Sequence, residues 1–95
     1  MTGQELRELL VQKCGQPYDV QFLRRGDRRY FQVMWRYLGQ ASFAMTEEQY
    51  MAHLERVAYI LDEWAVADQV RTYLNKTRER PRVGKAISVP LTYDG

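Results

Sequence analysis

Ninety-five residues, 45% hydrophobic and 27% charged, are enough for one modest core, which excludes both a disordered chain and two independent domains. A net charge of +2 is too small to argue for nucleic acid by itself, so that case rests on how the charge is distributed. A single Cys and a single His exclude an intrachain disulfide and a cysteine-based zinc site, and the longest strongly apolar run, Val57 to Leu61, is far too short to span a bilayer.

In chain order, Thr2-Gly3-Gln4-Glu5 has the form of a capping box, in which hydroxyl and carboxylate satisfy each other's backbone donors. Leu6, Leu9, Leu10 and Cys14 then recur at helical spacing until Gly15 and Pro17 stop them, which predicts a helix from Gly3 to Cys14. Tyr18, Val20 and Phe22 alternate with Asp19, Gln21 and Leu23, and Phe31, Val33, Trp35 and Tyr37 alternate with Tyr30, Gln32, Met34 and Arg36. Gly26-Asp27 between the two runs suits a type II′ turn, with Gly at its first central position. That turn sets Phe22 opposite Phe31, Val20 opposite Val33 and Tyr18 opposite Trp35, so the large apolar residues share one face.

Gly39 to Met45 reads as a loop. Thr46 caps a second helix, with Glu47 and Glu48 favourable at its positive end and Gln49 closing a capping box. Its apolar stripe is Tyr50, Leu54, Val57, Ala58 and Leu61. The stripe loses phase between Asp62 and Ala65, and Val66, Val70, Tyr73, Leu74 and Thr77 start another, which predicts a break into two helices. Arg78 to Lys85 is basic, interrupted by Pro81 and Gly84, and reads as an extended loop. Ile87, Val89 and Leu91 predict a short third strand, with Pro90 at a sheet edge or at the strand's end. Residues 92–95 are expected to form a flexible tail. The fold class is therefore α+β, one domain over residues 1–95 in the order α-β-β-α-α-β. Helices cover one face of a small, mostly antiparallel sheet and leave the other partly open.

The stretch Gln32-Val33-Met34-Trp35-Arg36-Tyr37-Leu38, then Ser42-Phe43, then Thr77 through Leu91 (Thr-Arg-Glu-Arg-Pro-Arg-Val-Gly-Lys-Ala-Ile-Ser-Val-Pro-Leu) resembles an uncharacterised family of short cyanobacterial and plastid proteins. The family is grouped as domain of unknown function 3067. The opening Met1-Thr2-Gly3-Gln4-Glu5-Leu6 is similar as well, so the resemblance covers nearly the whole chain. Ala44 stands where that family usually has Pro, and Ala65 where it usually has Gly. The resemblance implies a setting, the photosynthetic cell, rather than a mechanism.

Charge is segregated along the chain. Arg78, Arg80, Arg82 and Lys85 form one candidate anion- or partner-binding set, which Arg71 and Lys76 on the preceding helix would extend. Arg24, Arg25, Arg28 and Arg29 around the hairpin turn form a second, with Arg24 opposite Arg29 at a repulsive cost of about a few tenths of a kcal/mol. Between the sets, Glu47, Glu48, Glu55, Asp62, Glu63 and Asp68 form an acidic middle, read as a solvated helix surface with some members paired to the basic loop. Solvated charge is the ordinary reading of such runs, and an Arg-ringed hairpin tip also discourages edge pairing.

Aromatic residues make up 13% of the chain, and Trp35, Tyr37, Phe43 and Trp64 read as core. Leu23, Tyr30 and Met34 fall on the open face as a contact patch beside the Arg tip. His53 reads as a partly exposed helix residue, and Cys14, at the wrong helix end to stabilise a thiolate, as a packed one. No catalytic, cofactor-binding or metal-binding residue is assigned and no cofactor is expected; phosphate-cradling Gly-rich loops of the P-loop or dinucleotide type are missing too.

The leading expectation is a non-enzymatic accessory protein that binds a protein partner through Arg-rich loops and the open sheet face. It is expected in the cytoplasm, since no signal-peptide pattern opens the chain, or peripherally at the thylakoid surface. A small RNA- or DNA-binding module is the alternative, with Tyr30 stacking a base. An enzyme with an unrecognised site, bringing His53 or a carboxylate beside Arg80 or Arg82, is the third. Oligomeric state is left open, as is whether the two basic sets meet in space.

Overall fold

A computed structural model describes residues 1–92 of the chain. Its elements are α1 (Gly3–Cys14), β1 (Tyr18–Arg25), β2 (Arg28–Tyr37), α2 (Glu47–Glu63), α3 (Ala67–Lys76) and β3 (Ile87–Leu91), in the expected order. The strands form one antiparallel sheet in the spatial order β1-β2-β3.

Local chemistry accounts for most boundaries. The Thr2 side chain accepts the Glu5 N–H at the start of α1. Only that half of the expected capping box is present, because the Glu5 carboxylate is drawn away to Arg71 of α3. At the start of α2 the reciprocal box between Thr46 and Gln49 is complete. Gly15 ends α1 at φ 99°, in the left-handed region, with its N–H reaching the carbonyls of Leu10 and Val11.

The break between α2 and α3 falls where the apolar stripe loses phase, and it is a Schellman turn. The Val66 N–H reaches the Leu61 carbonyl at 2.9 Å, and the Ala65 N–H reaches the Asp62 carbonyl at 3.0 Å. Leu61 and Val66, the residues that such a turn brings into contact, are both buried. The left-handed position is taken by Ala65 at φ 55°, the one non-glycine residue with positive φ among those described.

The hairpin keeps the expected register over most of its length. Val20 faces Val33, Phe22 faces Phe31, Arg24 faces Arg29, and Gly26 sits at φ 59° as the turn requires. Tyr18, however, pairs with Tyr37 and not with Trp35. The register shifts at Asp19, so that Met34, Trp35 and Arg36 bulge out of β2. Long-range bonds accompany the shift. The Tyr50 hydroxyl donates to the Tyr18 carbonyl at 2.7 Å, and His53 Nε2 lies 2.8 Å from the Val20 carbonyl. The Val20 N–H donates to its neighbour's carboxylate, Asp19 Oδ1, at 2.9 Å. Trp35 and Tyr37 are consequently half-buried and stand off the core they were expected to join, whereas Phe43 and Trp64 pack against it.

β3 pairs with β2 so that Ile87 faces Val33 and Pro90 faces Tyr30. Alternation along an antiparallel pair turns the Pro90 backbone away from β2, where the missing N–H costs no ladder bond. Two residues on, at Thr92, the Gln69 carboxamide stands where a fourth strand would be. It accepts the Thr92 N–H at 2.8 Å and donates to the Thr92 carbonyl. Thr92, the first residue of the expected flexible tail, is thus held; residues 93–95 lie outside the described residues. Phe31, Val33, Ile87 and Val89 meet Leu6, Leu10, Leu54 and Val70 from the three helices in a single core.

Candidate functional site

The direction of β3 settles where the basic segments lie. Leu91 faces Arg29 near the hairpin turn and Ile87 faces Val33, so the Arg78–Lys85 loop enters the sheet at the end away from that turn. Val33 is five residues from Arg28, which at about 3.4 Å per residue is roughly 17 Å of strand. The two Arg sets are separate surfaces.

At the hairpin tip the four arginines divide by strand alternation. Arg24 and Arg29 fall on the helix-covered side, facing each other as expected. Their repulsion is relieved in two ways: Arg24 Nε donates to the Gly26 carbonyl at 3.2 Å, and the Arg29 guanidinium lies 4.7 Å over the Trp64 ring. Trp64 in turn packs 5.0 Å from Phe22, closing the core under the tip. Arg25 and Arg28 fall on the open side and are exposed.

The open side carries two cross-strand rows. Leu23, Tyr30 and Pro90 form one. Gln21, Gln32 and Ser88 form the other, with Gln21 Nε2 donating to Gln32 Oε1 at 2.7 Å and Gln32 Nε2 to Ser88 Oγ at 3.0 Å. Leu23, Arg25, Tyr30, Gln32 and Ser88 enclose a hollow of about 250 Å³. Met34 lies in the bulged stretch, without a strand partner on β1, and is half-buried. Leu23 and Tyr30 pair on the open side, and none of Leu23, Tyr30 and Met34 belongs to the core cluster.

At the other end, Arg78, Glu79, Arg80, Arg82, Lys85 and Ala86 line a hollow of about 260 Å³. Arg82 and Lys85 exchange both backbone bonds, at 3.0 and 2.7 Å, across a turn through Val83 and Gly84. Gly84 at φ 80° supplies the left-handed residue that a type II turn needs, and Val83 at the tip is 90% exposed. Arg80 lies against the end of α1, so close that a Cβ on Gly15 would sit 2.8 Å from its Nη1. A cation there complements the negative end of the helix.

Arg71 and Lys76 do not extend this set. Arg71 is held by Glu5 and Asp68, each at 2.6 Å. Those bonds, the one to Glu5 foremost, push its pKa further up, and the Glu5 carboxyl is lowered by the same contact. Lys76 lines a different, open groove along α3 with Gln69 and Tyr73. Four of the six residues of the acidic middle are likewise engaged inside the molecule. Glu47 pairs with Arg7 at 2.9 Å, Asp62 with the N-terminal ammonium at 2.9 Å, and Glu55 accepts the Gly3 N–H at 3.1 Å. The partners of these four belong to α1, α3 and the N-terminus, not to the basic loop expected to receive some of them. Sequence reasoning missed this α1 network because its partners are 40 or more residues apart.

His53 links α2 to β1. A carbonyl can only accept, so Nε2 carries the proton it shares with Val20, and Asp19 Oδ1 lies 3.5 Å away. Cys14 is buried, and burial raises its thiol to about 11 against the opposing pull of Arg80. Among the described residues no three His, Cys, Asp or Glu converge in a metal-holding group, and no helix is long and apolar enough to cross a membrane.

Comparison with known proteins places this geometry in a family. The chain is similar to the Alr2454 protein from Nostoc sp. strain PCC 7120, whose structure was determined by solution NMR. The identity is 54% and the TM-score 0.93, over 97% of this chain and 88% of that one. No curated protein matches. The family described as Domain of unknown function (DUF3067) matches residues 4–95. The chain belongs to that family, the one its Trp-Arg-Tyr and Arg-Pro-Arg-Val-Gly-Lys segments resemble.

Proposed function

We propose that this protein is a non-catalytic binding domain that docks an acidic-rimmed protein partner on its open sheet face. The observation that carries the reading is the uncovered row Leu23–Tyr30–Pro90, framed by the glutamine row on one side and by Arg25 and Arg28 on the other. An apolar centre with a polar, charged rim is the layout of a protein–protein contact, and Tyr and Arg are its usual anchors. The cyanobacterial relative supports a setting in a photosynthetic cell, in the cytoplasm or at the thylakoid surface.

A photo-crosslinking residue at position 30, compared with one at exposed Tyr59 on α2, tests the reading. The expected result is a discrete adduct from position 30 that disappears on L23D and weakens at high salt. Equal adducts from both positions, or one unaffected by L23D, would overturn it; an adduct of doubled mass would identify the partner as a second copy. A nucleic-acid strand is the second reading, favoured by half-exposed Tyr30 beside Arg25 and Arg28. A single aromatic stacks a single base, and the other Arg set is out of reach at the far end of the sheet.

A further inference from the structure

We infer that the hollow between Arg78, Arg80, Arg82 and Lys85 is a binding site for a phosphate-bearing group. This inference is independent of the open-face reading, since the two surfaces lie at opposite ends of β2.

Four cationic residues line one concavity of about 260 Å³, where Glu79 is the single carboxylate among the described residues. Among the described residues none of these four side chains forms an ion pair. Other cations of the fold, Arg7 and Arg71, are held by carboxylates at 2.6 to 2.9 Å. Of the acidic residues of α2 and α3, Glu47, Glu55 and Asp62 are engaged with α1 and the N-terminus and Asp68 with Arg71. The concavity thus carries a local excess of positive charge, which an anion would complement.

The backbone that presents the charges is pre-organised. Pro81 fixes one φ, the paired Arg82–Lys85 bonds close the turn, and Arg80 is seated against the end of α1 at Gly15. Little ordering is then left to be done when a ligand binds. Three of the four groups are guanidinium, whose planar fork bonds two oxygens of one anion at once, which disfavours a monovalent halide; several such forks around one group suit the three or more charged oxygens of a phosphate better than the two of a carboxylate. A phosphate can be supplied by a free phosphoryl compound or by a lipid headgroup. Val83, 90% exposed at the tip of the same turn, would enter the headgroup layer in the second case.

The test is a titration of isotope-labelled full-length protein with inorganic pyrophosphate at low salt, followed by NMR. Saturable shifts confined to residues 78–86 are expected, with affinity falling about tenfold for R82Q and again for K85Q. These two variants sit on the exposed turn and leave the core untouched. A parallel arm measures sedimentation with phosphatidylglycerol vesicles against phosphatidylcholine vesicles. Binding that depends on Arg82 and falls with V83S assigns the phosphate to lipid, whereas pyrophosphate shifts without vesicle binding assign it to a soluble ligand. Shifts of equal size at Arg25 and Arg28, no response to R82Q and K85Q, or no binding in either arm would overturn the proposal.

Discussion

Arg71 of α3 grips Glu5 of α1 with two parallel bonds, Nε to Oε2 at 2.6 Å and Nη2 to Oε1 at 3.0 Å, across 66 positions of sequence. The pair ties the first helix to the third, and it explains why the N-terminal capping box stays half closed. Both side chains are partly exposed, so solvent screens the pair, and a double-mutant cycle with E5Q and R71M should return a coupling of about 0.5–1 kcal/mol. Glu5 has a folded-state pKa below its ordinary 4.5, because Arg71 bonds its charged form. Its contribution is therefore complete above that ordinary value and is lost as pH falls through the lower folded value. Urea melts between neutral pH and pH 3 should show the wild type losing this increment while E5Q does not.

Ala65 occupies a left-handed position that a Cβ disfavours. A65G should stabilise the fold by about 1 kcal/mol, the left-handed penalty less the entropy that glycine adds to the unfolded chain. The midpoint of chemical unfolding should rise with an unchanged denaturant slope. A fall would mean that the alanine methyl packs in a way the backbone angle does not reveal.

Gly3 opens α1, where alanine would ordinarily favour the helix. Here a Cβ would sit 2.8 Å from the Glu55 backbone nitrogen of α2, so the helices would have to separate. G3A should therefore destabilise by about 1–3 kcal/mol, opposite in sign to helix propensity. Thermal unfolding gives the sign directly.

Replacing His53 by Phe keeps a planar ring on α2 but removes the donor to the Val20 carbonyl. The expected cost is about 1–2 kcal/mol, together with faster amide exchange around Asp19, where the bond helps to hold the bulge. Exchange unchanged from wild type would show that Tyr50 suffices.

Cys14 should resist alkylation in the folded protein at pH 8, because the thiol titrates near 11 and is buried. Modification should become rapid in urea, with a native-state rate that tracks the opening equilibrium. Fast labelling without denaturant would contradict the packing described.

Much of the fold was legible where information is local. Turn chemistry at Gly26-Asp27 and the alternation around it were enough to place Phe22 against Phe31, since a slip by one residue would expose the whole apolar set. The break near Ala65 showed as a loss of helical phase. The pairing of Leu23 with Tyr30 followed from the same register.

Beyond the Val20–Val33 pair this reasoning failed. Tyr18 pairs with Tyr37, and groups from α2 hold the Tyr18 and Val20 carbonyls more than 30 positions away in sequence. Trp35 left the core for that reason, and no period-two pattern carries such a signal.

The charge segregation on which any function depends was visible in the chain as two Arg sets around an acidic middle. What the sequence determined by itself was the element order, the register near the turn and the identity of those sets. Whether the sets met was decided only in three dimensions. Alternating Ile87, Val89 and Leu91 would read the same whichever way the strand ran. The antiparallel seating of β3 on β2 sent the Arg78–Lys85 loop to the end of the sheet away from the hairpin tip. Strand direction, set by how α3 delivers the chain to the sheet, thus made two separate surfaces where the sequence left their meeting open.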